Sequence, residues 1–287
     1  MKNEGKLMPE KGLGCPGKWE RVLVCIDGSE ESRGAVLAGL ELARRCGSRV
    51  FVLMALDVPP EFEAQAPELM PRVEAEIRQH LADVEAEAAK VGVAVETRTR
   101  RRVPTYAAII DEAREVRANL IMVGRHGRTG LSRLLLGSVA ARVIGHSPVS
   151  VLVVPKDAAL RFNTILVASD GSPSSAAAWA EAVALAQAAG SRLVAVSVAR
   201  EEGEIPEAEN LVKDMIAAGN QAGLAVTGLM PQGLAPDAAI VQAALKHAVD
   251  LLVLGSHGRT GLARLILGST AERVIGQAPC PVLVVKG

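Results

Sequence analysis

The chain has 287 residues, enough for two ordinary domains, each able to bury a core of its own. Hydrophobic residues make up 49%, which excludes a disordered chain, and aromatics only 2%, so the core must be built from Val, Leu, Ile and Ala. Formal net charge is zero, which argues against a general binder of nucleic acid or anionic membrane.

Residues 1–19 are rich in Lys, Glu and Gly and read as a flexible tail without the apolar stretch of a secretory signal. Arg21–Ile26 is a short apolar strand ending in Asp27-Gly28-Ser29. A helix follows, with Ala35, Leu37, Leu40, Leu42 and Ala43 at helical spacing and Gly47 as its stop. Arg49–Leu56 is a buried strand, and Glu74–Lys90 a charged, Ala-rich surface helix. Val93–Thr99 alternates like a strand, Thr105–Arg117 is helical, and Leu120–Val123 is a strand. Ser138–Gly145 is a helix and Val149–Val154 the last strand of the half. Strand and helix alternate, which predicts a parallel, doubly wound, Rossmann-like α/β sheet of five strands.

The second half repeats this order, from the strand Thr164–Ser169 with its Asp170-Gly171-Ser172 to the strand Pro281–Val285. Gly124–Val154 and Gly255–Val285 agree at 22 of 31 positions, 131 residues apart. Two domains are expected, over 20–156 and 161–287. The two Asp-Gly-Ser turns are 143 apart, so the first half holds 12 extra residues. The prolines of Asp57–Arg72 place that insertion in a loop there. The closing strands are apolar and would lie at a sheet edge, so they should pair with each other and make a pseudo-dimer within the chain. Strand three, with Arg98, Arg100, Arg101 and Arg102, reads better as a charged edge that discourages aggregation than as a site for an acidic partner.

Ligands of doubly wound sheets bind beyond the carboxyl ends of the strands, where strand order reverses. The end of strand one offers Asp27 and Asp170; the end of strand four offers a glycine pattern, Gly124-x-x-Gly127 and then Gly137-Ser138, repeated as Gly255, Gly258, Gly268 and Ser269. Such glycines either turn the chain, with the serines as N-caps, or let backbone approach a phosphate at a helix N-terminus. The full spacing, twice and each time after a strand, favours phosphate. His126 and His257 between the glycines have no evident orienting acid and are read as loop residues. Cys15, Cys25, Cys46 and Cys280 form no C-x-x-C pair, and a reduced cytoplasmic setting is the default expectation.

These motifs, the Gly-x-His-Gly-Arg-Thr-Gly-Leu loop and the closing Pro-Val-x-Val-Leu-Val-Val or Pro-Cys-Pro-Val-Leu-Val-Val, resemble the universal stress protein family, in its tandem two-domain, ATP-binding form. The resemblance implies ATP in each half, possibly with Mg, and a nucleotide that regulates conformation or partners. It implies Asp27, Ala55, Gly124, Arg125, Gly127, Gly137, Ser138 and Val139 at the first site. At the second it implies Asp170, Val198, Gly255, Ser256, Gly258, Gly268, Ser269 and Thr270. A slow ATPase and a nucleotide-independent, chaperone-like stress protein are the alternatives. A further homodimer is plausible, no nucleic acid or membrane partner is expected, and the downstream protein partner is unknown. The first half departs from the family's Gly-x-Pro after strand three: it has Arg102-Val103-Pro104, where the second has Gly233-Leu234-Ala235-Pro236.

Overall fold

The computed structural model describes residues 19–56, 64–65, 67–101, 103–127, 136–259 and 267–286. In the first half, strands β1 (Arg21–Ile26), β2 (Arg49–Leu56), β3 (Val95–Arg101), β4 (Leu120–Gly124) and β5 (Ser150–Val154) alternate with helices α1 (Arg33–Cys46), α2 (Met70–Lys90), α3 (Thr105–Glu115) and α4 (Ser138–His146). The second half has β6 (Thr164–Ala168), α5 (Pro173–Ala189), β7 (Arg192–Val196), α6 (Ile205–Gln221), β8 (Val226–Leu229), α7 (Pro236–Lys246), β9 (Leu251–Gly255), α8 (Ser269–Gln277) and β10 (Val282–Val285). All ten strands form one sheet, in the order β3-β2-β1-β4-β5-β10-β9-β6-β7-β8. Each half is parallel, as the alternation of strand and helix requires.

The halves join where the sequence leaves apolar edges. Strands β5 and β10 pair antiparallel, Val153 with Val282, Leu152 with Leu283 and Val151 with Val284. All six residues are at most 1% exposed, so the pairing removes from water two strands that would otherwise attract foreign chains. Helices α1, α2 and α5 cover one face of the sheet; α3, α4, α7 and α8 cover the other. The central strands are buried on both faces, which is why they read as unbroken Val/Leu/Ile runs.

Strand β3 is an edge, as expected, and its arginines are held by acids: Arg100 by Glu112 and Glu115, Arg98 by Glu96, Arg101 by Glu74. The insertion is a different matter. Helix α2 has 21 residues against 17 in its counterpart α6, so Met70, Pro71 and Arg72, expected in a loop, are helical. Pro71 stands in the first turn, where its missing N–H has no carbonyl to bond, so the proline starts the helix rather than breaking it. Pro67–Leu69 of the expected loop form a 3-10 turn ahead of α2, while 57–63 and 66, the tail 1–18 and Arg102 lie outside the described residues, as do 128–135 and 260–266 in the two glycine loops.

Candidate functional site

The reversal of strand order falls between β1 and β4 in the first half and between β6 and β9 in the second. Cys25 pairs with Val123 and Val167 with Val253, so each Asp-Gly-Ser turn stands beside a glycine loop. Gly28 and Gly171 turn the chain at φ +79° and +80°, a region that side chains with a Cβ avoid. The aspartate then braces its own turn. Asp27 Oδ1 accepts the Ser29 N–H at 3.0 Å and the Ser29 hydroxyl at 2.5 Å; Asp170 Oδ1 accepts the Ser172 N–H at 3.0 Å.

Asp170 also ties the turn to the loop. Its Oδ2 accepts the Arg259 N–H (3.0 Å), and its carbonyl accepts Arg259 Nε–H (2.5 Å). Burial opposes the charge of this carboxyl, but the hydrogen bonds from Ser172, Ser175 and Arg259 outweigh it and hold Asp170 below the usual carboxylate range. The loop glycines are shaped by the same contacts. A Cβ on Gly258 would lie 2.8 Å from Asp170 Oδ2, and one on Gly127 2.9 Å from Asp27 Oδ2. A Cβ on Gly124 would meet Glu31 O at 2.7 Å, and one on Gly255 the Ser174 backbone at the same distance, because the starts of the first-half and second-half helices press against these strand ends. Gly137 N–H bonds Arg125 O (2.9 Å) and Gly268 N–H bonds Ser256 O (3.2 Å), closing each loop onto the helix that follows.

Ser138 and Ser269 are not caps. Gly137 and Gly268 hold the N-cap position, and the serines are the first, exposed residues of α4 and α8. The first helical hydrogen bonds run from Ala141 to Gly137 and from Glu272 to Gly268. The N–H groups of the preceding three residues in each helix therefore have no helical carbonyl and point outward.

In the second half these parts surround a cavity of about 260 Å³. Val196, Val198, Ile240 and Leu254 give it an apolar side; Asp170, Gly258, Ser269 and Thr270 give it a polar one. The structure thus brings together seven of the eight expected second-site residues: Asp170, Val198, Gly255, Gly258, Gly268, and Ser269 with its neighbour Thr270 on the same turn. Val198 lies just past its strand: β7 stops at Val196, where β6 turns away into Asp170-Gly171 and its pairing ends. Ser256 lines no part of the cavity with its side chain; its hydroxyl bonds His257 Nδ1 (2.8 Å). In the first half Ala55 is half-buried in β2 beside the equivalent turn, and Val139 is 39% exposed at the start of α4. Arg125 departs from the expected arrangement: its guanidinium bonds carbonyls of the second half, Gly276 O and Ala278 O, so its side chain is already engaged across the interface.

Several contributors have no local signal in the sequence. Arg200 and Glu204 line the cavity as a pair, Arg200 Nη2 to Glu204 Oε1 at 2.9 Å, and Arg259 continues to Glu207 at 2.8 Å. His257, set aside as a loop residue, lines the cavity too, and its Nε2 is buried without a partner. At the first turn, His80 of α2 stands so close that a Cβ on Gly28 would be 2.6 Å from its Nε2; the second half has Leu211 at that place. A hint lay in position: residues just past the carboxyl ends of parallel strands face the crevice.

The family model of universal stress proteins matches residues 18–155 and again 161–286. The chain belongs to the universal stress protein family. A universal stress protein of Thermus aquaticus, from the 3′ region of the QAH/OAS sulfhydrylase, is 39% identical over 138 residues, 44% of this chain and 99% of its own length. One of Mycolicibacterium smegmatis is 32% identical over 209 residues, 68% of this chain and 70% of its own. The crystal structure of a universal stress protein from Archaeoglobus fulgidus superposes with a TM-score of 0.70 over 93% of this chain and 98% of that one; at 23% identity it speaks for the fold. This family membership and the repeated match make the chain a tandem universal stress protein. Among the described residues no helix is long and apolar enough to cross a membrane.

Proposed function

We propose that the two halves, taken as domains 20–156 and 161–287, each bind an adenine nucleotide, ATP foremost, and that occupancy regulates the shape or partners of a cytoplasmic stress-response protein. The cavity beside the second glycine loop carries this reading. Its apolar side, with Val198, suits the flat face of a base. Asp170 keeps lone pairs beyond the two N–H bonds it accepts, enough to take a ribose hydroxyl. The outward N–H groups of Ser269 and Thr270, with their hydroxyls, suit phosphate at the positive end of α8. Gly255, Gly258 and Gly268 keep the loop low enough for that approach, and Ser256 contributes through its backbone.

Asp27, Ala55, Gly124, Gly127, Gly137, Ser138 and Val139 take the same parts in the first half, with Arg125 acting through its backbone. Among the described residues no three His, Cys, Asp or Glu side chains gather as a metal site, so Mg would arrive with the phosphates. The apolar edge strands are consumed by the β5–β10 pairing, so a further homodimer must use another surface.

The reading is tested by mass spectrometry of small molecules released from the freshly purified, denatured protein, and by calorimetric titration with ATP. Up to two nucleotides per chain are expected. Ser269→Glu, which sets a carboxylate on the anion end of α8, should remove one of them. A protein that neither carries nor binds any adenine nucleotide would falsify the proposal.

A further inference from the structure

The two glycine loops differ at a position with structural consequences: Arg125 in the first stands where Ser256 stands in the second. Ser256 bonds its own neighbour, His257. Arg125 reaches both halves. Its carbonyl accepts the N–H of Gly137, the residue that caps α4 (2.9 Å). Its guanidinium donates to Gly276 O at 3.2 Å and to Ala278 O, at the last turn of α8. One residue therefore holds the start of the first anion-facing helix and the end of the second.

Helix α8 has nine residues, a rod of roughly 13 Å, too short to bend much between its ends. A cation at its carboxyl end and an anion at its amino end favour the same dipole. The reverse cap exists but is built differently. Lys286 Nζ donates to Gly145 O at 3.1 Å, in the last turn of α4, at the position equivalent to Gly276. Lys286 follows β10 and lies outside the second glycine loop. Both anion-facing helices are thus capped from the opposite half, and the cap on α8 is carried by a residue of a glycine loop.

We propose that the two pockets are energetically coupled through Arg125. A ligand held by the backbone beside Arg125 and Gly137 fixes the guanidinium against α8, and the start of α8 is part of the second pocket. By linkage the effect is reciprocal: filling the second pocket changes the affinity of the first by the same factor. This rests on the nucleotide reading above.

The test compares the intact chain with Ser138→Glu and Ser269→Glu, each of which closes one pocket at an exposed first-turn residue where a carboxylate suits the helix. Each variant gives the constant of the pocket left open. Independent pockets would make the intact ATP isotherm the sum of the two single-site ones. The intact chain is expected to depart from that sum by at least about fivefold in affinity. With Arg125→Met, which keeps the aliphatic stem and removes the donors, the chain should match its own sum. Arg125→Lys, which retains the charge but not the fork, should show a reduced departure and serves if the Met variant does not fold. Lys286→Met should leave the departure in place. An intact chain that already matches the sum overturns the coupling while leaving nucleotide binding standing. So does a departure undiminished in both Arg125 variants. An intact chain that carries no adenine nucleotide and binds none by equilibrium dialysis overturns the nucleotide reading and the coupling with it.

Discussion

Replacing Gly258 by Ala separates what a loop glycine does for the fold from what it does for a ligand. The new Cβ would lie 2.8 Å from Asp170 Oδ2, and the next atom, Asp170 Cγ, is already at 3.9 Å. The carboxylate is therefore the whole obstacle, and it is pinned from both sides, by the N–H of Ser172 and that of Arg259, each at 3.0 Å. To make room, Oδ2 must leave the Arg259 N–H. A hydrogen bond to a charged group contributes about 1.5–3 kcal/mol, and because Arg259 is exposed we take the lower end, about 1.5 kcal/mol, as the cost. In an Asp170→Ala background the obstacle is gone, and the alanine at 258 should cost almost nothing. The double-mutant cycle should thus show a coupling energy of about 1.5 kcal/mol between sites that touch. Chemical denaturation of the four chains, without nucleotide, measures it. A double mutant that loses the sum of the two single losses would refute the reasoning, since the clash would then lie elsewhere. Gly127→Ala with Asp27→Ala repeats the experiment in the first half, where the approach is 2.9 Å.

Two further outcomes are expected. Asp170 is held below the ordinary carboxylate value, so its stabilisation is complete above about pH 4, the unfolded value, and is lost as pH falls through its lower folded value. The melting temperature of the intact chain should exceed that of Asp170→Asn at neutral pH, and the gap should close in acid; a gap that persists at about pH 2 would mean the charge contributes nothing. Glu112 is 2% exposed and bonds Arg100, with Arg98 Nε farther off at 3.7 Å. Arg100→Ala leaves that carboxylate buried with the longer contact only and should cost about 3 kcal/mol. Lys213→Ala breaks the exposed pair with Glu209 on α6 and should cost at most about 0.5 kcal/mol, so equal losses in a denaturation experiment would contradict the ranking.

Much of this fold is legible in the chain because its signals are local or repeated. Apolar runs end at glycines, helices α1 and α5 stop at Gly47 and Gly190, and the repeat says that one order of elements occurs twice. Even the β5–β10 pairing follows from two apolar strands that would otherwise face water. The misreadings have local causes as well. Pro71 marks a loop when taken alone but begins α2, and the extended residues after Val196 look like strand although their partner β6 has turned away. What the sequence does not disclose is reach. Nothing near Arg125 announces that its guanidinium will bond a carbonyl 151 residues away, and nothing in Arg259 names Glu207. Long side chains near a strand end have many destinations, and tertiary structure selects one.

The glycine motif itself must be weighed again in this light. Nearly every glycine in it is required by the protein's own packing: Gly124 by Glu31 O, Gly127 by Asp27, Gly137 by Arg125 O at 3.2 Å, Gly255 by Ser174 and Gly258 by Asp170. Only Gly268, whose nearest neighbour would be at 3.7 Å, has ordinary room for a methyl group. The pattern would thus be needed to close the loop even without a ligand, so a substitution such as Gly127→Glu tests folding and binding at once. What points to an anion is what the packing leaves unused: outward N–H groups on the first turns of α4 and α8, and beside α8 a cavity with one apolar side. Those groups are reached by changing Ser138 and Ser269, which touch the ligand's place without supporting the loop. The difference between the sites also moves. Outside the motif the copies differ in sequence at Ala55 against Val198, at Arg102 and by the 12-residue insertion. The structure adds His80 against the first turn and, inside the motif, Arg125 bonded to the other half. On the proposed reading, a difference in affinity between the two sites would have a source in the glycine loop itself.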